Sequence, residues 1–126
     1  MPAEETKEQR AARLKAAEGL KEEGNTIFKE AMKSQSVDGY HQAKDKYVQA
    51  FHLLRQRLPQ YRQDQQQLIE YGNLHSIVSS NLAQVSLKLG DYKAAESQTN
   101  AGLALCNPNS TQYEKLIYRN ASALQG

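Results

Sequence analysis

The chain lacks tryptophan, has one cysteine and three prolines, and contains no long apolar run. A single thiol, Cys106, excludes an internal disulfide and suits a reducing compartment. It reads as small apolar filler near a helix end, with no surroundings evident in the sequence that would make it reactive. No stretch approaches the ~18 consecutive apolar residues of a membrane-spanning helix. The N-terminus, MPAEETKEQRAARLKAAEG, is charged and has no apolar segment, so it reads as neither signal peptide nor anchor. An excess of one charge is missing too: 16 basic residues face 14 acidic ones, a net charge of +2. A general nucleic-acid binder carries a strong basic excess. Asn109-Ser110-Thr111 and Asn120-Ala121-Ser122 fit the glycosylation pattern, but without a secretory signal they read as chance. His41, His52 and His75 are scattered and have no metal-ligand spacing with Cys106. No Ser/His/Asp set, Gly-rich phosphate loop or paired carboxylates stand out. The reading is a protein without enzymatic activity, metal or cofactor, in the cytoplasm or nucleus.

What is present is helical. The 126 residues suit one domain, and Gln, Lys, Ala, Glu and Leu dominate. A first helix is predicted over about 7–32, with Leu14, Ala17, Leu20, Ile27, Phe28 and Ala31 at helical spacing. KSQSVDG breaks it, and Asp38 is the predicted N-cap of a second helix, faced by Tyr40, Ala43, Tyr47, Ala50, Phe51 and Leu54. That helix ends before Pro59. A third runs from near Gln63 to Leu89, with Gly90 as its C-cap, and Asp91 caps a fourth over about 92–106. After the turn Asn107-Pro108-Asn109, Thr111-x-x-Glu114 reads as a capping box opening a fifth.

The helices repeat in pairs. Gly39-Tyr40-x-x-Ala43-x-x-x-Tyr47-x-x-Ala50 parallels Asp91-Tyr92-x-x-Ala95-x-x-x-Thr99-x-x-Gly102. On the preceding helices, Gly24, Ala83 and Ala121 fall at one place. A Gly-Asn pair inside a helix costs propensity, so Gly24 is predicted to be the small residue of a tight helix pair. This pattern resembles the tetratricopeptide repeat, a unit of 34 residues. The resemblance implies an all-α helix–turn–helix solenoid of about five helices with a concave peptide-binding groove. Residues 1–13 would be a charged extension of the first helix. Residues 14–126 would form about two and a half degenerate repeats, with insertions near 33–39 and 55–76.

Several polar residues on the first helix of each pair lack an internal explanation. Lys115 and Arg119 are one turn apart with no acid at helical spacing, and like charges there repel. Lys21 and Asn25 share a face. Asn81 sits among Ile77, Val78 and Val85, where an amide needs a partner. Together, Lys21, Asn25, Asn81, Lys115 and Arg119 resemble the dicarboxylate clamp of tetratricopeptide co-chaperones. The long third helix is similar to that of the immunophilin members. The resemblance implies binding of the C-terminal Glu-Glu-Val-Asp tail of heat-shock chaperones of the ninety- or seventy-kilodalton class. Phe28, Gln84 and Lys88 would make secondary contacts to the tail. The residues before Leu14 are too few for the prolyl isomerase domain that often precedes such repeats, so tail binding is carried over and isomerase activity is not. The alternative is a scaffold that binds another protein segment, or self-associates, without regard to a C-terminal carboxylate.

Overall fold

The computed structural model describes residues 5–54 and 64–125. Among them there are five helices and no strand, the all-α class expected. Helix α1 spans Lys7–Ser34. Thr6 opens it with a capping box that the sequence reading passed over. The Gln9 N–H donates to Thr6 Oγ1 at 3.1 Å, and the Thr6 N–H donates to Gln9 Oε1 at 2.9 Å. Gln35 ends α1 in the left-handed region with φ of 53°.

Helix α2 spans Val37–Leu54. Its cap is Ser36 rather than Asp38: the Gly39 N–H donates to Ser36 Oγ at 3.0 Å. The turn from α1 is so short that Asp38 already lies in the first turn of α2, where its carboxylate favours the helix dipole. The end predicted around Pro59 lies outside the described residues.

Helix α3 spans Gln65–Lys88, capped by Asp64, which accepts from the Gln67 N–H at 3.0 Å. It ends at Leu89 and Gly90 in a paired closure. The Asp91 N–H reaches Ser86 O at 2.9 Å and the Gly90 N–H reaches Leu87 O at 3.1 Å. Gly90 takes φ of +77°, a conformation suited to glycine. Helix α4 spans Tyr92–Leu103, with Asp91 capping as expected. It stops short of 106 because the chain tightens into i→i−3 bonds, Leu105 N to Gly102 O and Cys106 N to Leu103 O. Helix α5 spans Thr111–Gln125. The Tyr113 N–H donates to Ser110 Oγ at 3.3 Å, so Ser110 stands in the capping place. Thr111 is already helical, and Thr111-x-x-Glu114 is not a capping box.

The helices pack in sequence, α1 on α2, α2 on α3, α3 on α4 and α4 on α5, and α3 also touches α1 and α5. One core cluster joins Leu14 and Ala17 of α1, Ala50 and Leu54 of α2, and Tyr71, Leu74 and Val78 of α3. A second joins Phe28 to Ala43, Tyr47, Leu82 and Val85. Small residues let the helices close. A Cβ on Gly24 would stand 2.7 Å from Tyr47 Cε1, and one on Gly102 would stand 2.9 Å from Ser79 Cβ. Ala83 meets Ala95 and Ala123 in a third cluster. Ala121, at the equivalent place on α5, is exposed. No described helix covers that face.

The described part of the charged N-terminal extension is structural. Arg10 is only 6% exposed. Its Nε donates to Gln67 Oε1 at 2.9 Å and Nη1 to Glu5 O at 2.9 Å, while Gln67 Nε2 donates to Lys7 O at 3.0 Å. With the Lys7–Asp64 ion pair at 3.0 Å, these bonds fasten the first turns of α1 and α3 together. Burying a guanidinium is tolerable only when its donors are satisfied in this way.

Candidate functional site

The polar residues singled out above come from three helices: Lys21 and Asn25 on α1, Asn81, Gln84 and Lys88 on α3, Lys115 and Arg119 on α5. Side-chain bonds tie some of them into two separate networks. Asn25 Oδ1 accepts from Asn81 Nδ2 at 3.1 Å and from the Tyr47 hydroxyl at 2.5 Å. This bond spans the α1–α3 contact. Arg119, half-buried, reaches from α5 to α3: Nη2 donates to Gln84 Oε1 at 3.1 Å, and Nη1 donates to Ser80 O at 3.1 Å and to Ser80 Oγ.

Tyr47 links the two halves electrostatically. Burial first, and the Glu22 carboxylate second, push its hydroxyl up to about 12, while Arg119 pulls the other way. The phenol therefore stays protonated at neutral pH and serves as the donor to Asn25. Burial pulls Arg119 down from its ordinary value, and Tyr47 partly opposes this.

Lys21 is 8% exposed and already has partners, with its Nζ 2.8 Å from Glu18 Oε1 and 3.1 Å from Glu22 Oε1. Burial works to lower its pKa, but the hydrogen bonds and charges of the two carboxylates outweigh it and the ammonium is held above its ordinary value. Lys88 and Lys115 differ. Both are exposed, and neither has a hydrogen bond or ion pair among the described residues.

A cleft of about 590 Å³ opens where α3, α4 and α5 meet. Its walls include Gln84, Lys88, Tyr92, Lys115, Tyr118 and Arg119. Three cations outnumber the one carboxylate, Glu114, and with two exposed tyrosines make a surface suited to an anionic ligand with some apolar body. Charged donors to carboxylates form the stronger class of hydrogen bond, and an amide donor adds specificity without charge. Asn25 Nδ2 has no partner among the described residues and can donate outward.

Lys21, Asn25 and Asn81 do not line this cleft, and neither does Phe28. It is 8% exposed, and its ring packs against Tyr40 at 5.7 Å inside the second core cluster. Sequence reading missed Tyr47, whose ring explains its apolar place while its hydroxyl serves the first network. It also missed Ser80, the buried neighbour of Asn81 that holds Arg119. Among the described residues there is no group of His, Cys, Asp and Glu able to hold a metal, and no helix is long and apolar enough to cross a membrane. Comparison with protein-family models, curated proteins and solved structures finds no match to the chain.

Proposed function

We propose that the chain is a tetratricopeptide-type peptide-binding module that grips a carboxylate-bearing C-terminus, of the kind formed by the Glu-Glu-Val-Asp tail of heat-shock chaperones. The observation that carries this reading is a pair of polar networks close enough for Arg119 to act on the Tyr47 hydroxyl: Tyr47–Asn25–Asn81 across α1, α2 and α3, and Arg119–Ser80–Gln84 across α3 and α5, the second beside a cleft bordered by Lys88 and Lys115. A terminal aspartate offers two carboxylates, one from its side chain and one from the chain end. Lys21, Asn25 and Asn81 would take one, and Lys115 and Arg119 the other. Arg119 is pre-positioned by Ser80 and Gln84, so little of its rotamer freedom remains to be lost on binding. The module would act as an adaptor in the cytoplasm or nucleus, bringing a second protein to the chaperone.

A five-residue tail makes few contacts, so affinity should be roughly micromolar, about −8 kcal/mol. Its ionic core should weaken as salt screens it. The test is calorimetric titration with Met-Glu-Glu-Val-Asp as free acid and as C-terminal amide. Binding of the acid, and loss of binding with the amide, supports the clamp. Equal binding of both, or none by the folded protein, refutes it. One observation favours a scaffold as second reading: Ile117 and Leu124 are 46% and 64% exposed and flank the uncovered Ala121 on α5. A scaffold using that face would be indifferent to the amide.

A further inference from the structure

Lys21 differs from the other lysines at the site. Lys88 and Lys115 have no partner among the described residues, whereas the Lys21 ammonium lies between two carboxylates of its own helix, Glu18 at 2.8 Å and Glu22 at 3.1 Å. Both acids reach in from solvent, with side chains 51% and 62% exposed, while the Lys21 side chain is 11% exposed. The arrangement is already that of an ammonium holding a dicarboxylate, supplied in this case by the protein itself. Glu22 also acts beyond Lys21, since its charge is felt at the Tyr47 hydroxyl that holds Asn25. The third acid of this stretch, Glu23, turns to the other side and pairs with Lys46 of α2 at 3.0 Å.

We propose that Glu18 and Glu22 are internal competitors for Lys21, and that a carboxylate ligand binds by exchanging places with them. The inference rests on the clamp reading above and specifies how that clamp is regulated. Exchange at Lys21 swaps one ammonium–carboxylate pair for another, so it contributes little net binding. The net gain must come from the other end of the site, at Lys115 and Arg119. A ligand with a single carboxylate that engages only Lys21 would therefore be held weakly, and one presenting two carboxylates would be selected. The competition is reversible because both acids reach Lys21 from solvent, and a carboxylate with one side in water is readily exchanged for another.

The test is the affinity of Met-Glu-Glu-Val-Asp free acid for the unaltered protein, for Glu18→Gln/Glu22→Gln, and for Glu23→Gln. Far-UV circular dichroism confirms the fold of each. Removing both competitors is expected to tighten binding by about three- to tenfold. Glu23→Gln removes one carboxylate of the same helix away from Lys21, half the charge change of the double variant, and is expected to change affinity by less than about twofold. In parallel, NMR titration of the Lys21 side chain should show its pKa falling in the double variant. If the unaltered protein binds the acid and not the amide, but the double variant binds no tighter than Glu23→Gln, the competition is refuted and the clamp stands. If only the double variant binds, the competition at Lys21 stands and the clamp reading of the unaltered protein falls. If neither binds, both fall. An unchanged Lys21 titration would overturn the pairing itself.

Discussion

Gly19 and Gly24 stand on the same helix, and replacing each by alanine should have opposite effects. At Gly19 a Cβ meets nothing within 4 Å. Gly19→Ala should therefore gain the intrinsic preference of alanine over glycine in a helix interior, about 0.8–1 kcal/mol. At Gly24 the same Cβ would lie 2.7 Å from Tyr47 Cε1 and 2.9 Å from Cδ1. Tyr47 has little room to withdraw. It is 1% exposed, packs with Phe28, Ala43, Leu82 and Val85, and is tethered through its hydroxyl to Asn25. Overpacking of this kind costs about 1–3 kcal/mol. Set against the gain in propensity, Gly24→Ala should be destabilising by up to about 2 kcal/mol. Urea unfolding followed by circular dichroism reads the difference: the midpoint should rise for Gly19→Ala and fall for Gly24→Ala, with the slope unchanged in both. If the Gly24→Ala midpoint rises in step with that of Gly19→Ala, the Tyr47 ring does not lie on Gly24 and the α1–α2 packing described above is wrong.

Tyr47→Phe keeps the ring but removes the donor to Asn25, and should cost about 0.5–1.5 kcal/mol in urea unfolding. Carboxylate-peptide binding should also weaken, because Asn25 loses its anchor. His75 is 6% exposed, and burial lowers its pKa from 6.5 to about 4. Its proton binds more readily to the unfolded chain, so its contribution to stability is complete above pH 6.5 and drains as pH falls toward 4. The loss should be on the order of 3 kcal/mol, and His75→Phe, which can pack beside Phe51 and Tyr71, should flatten the stability–pH curve over that window. Arg10→Ala would leave Gln67 Oε1 without its buried donor, and should cost about 1–3 kcal/mol. Hydrogen exchange should then show faster opening confined to the first turns of α1 and α3.

Local chemistry was the most readable part of the sequence. Asp91 and Gly90 each need only their immediate neighbours to cap a helix, and both do so as expected. Ser36 and Ser110 were harder to read, because another candidate cap stands one or two residues away. The choice depends on where packing starts the helix. Gly39 approaches α1 so closely that a Cβ there would lie 2.6 Å from Ala31 Cβ, which pulls the start of α2 back to Val37. The Arg10–Gln67 bond was not legible, since its partners lie far apart in sequence and an arginine near a chain end is normally solvated. At the site, Asn81 stood out as an amide on an apolar face and Asn25 as a poor helix former inside a helix, and the structure bonds them to each other. Tyr47 did not stand out, because an aromatic ring at a core position already has a sufficient explanation. The partners of Lys21 were in view as neighbours on the same helix. Their effect depends on the burial of the Lys21 stem, which sequence spacing does not reveal.

The central claim is that residues from α1, α3 and α5 act as one carboxylate site. The most direct test is a ¹⁵N NMR titration that observes the side-chain amides of Asn25 and Asn81 and the Arg119 guanidinium. Free-acid and amidated Met-Glu-Glu-Val-Asp would be added in separate titrations. The expected result is that all three signals shift together with the acid, along one saturation curve, and stay in place with the amide. Shifts that appear equally with both peptides, or that leave Asn25 and Asn81 unmoved while the acid binds elsewhere, would contradict the claim.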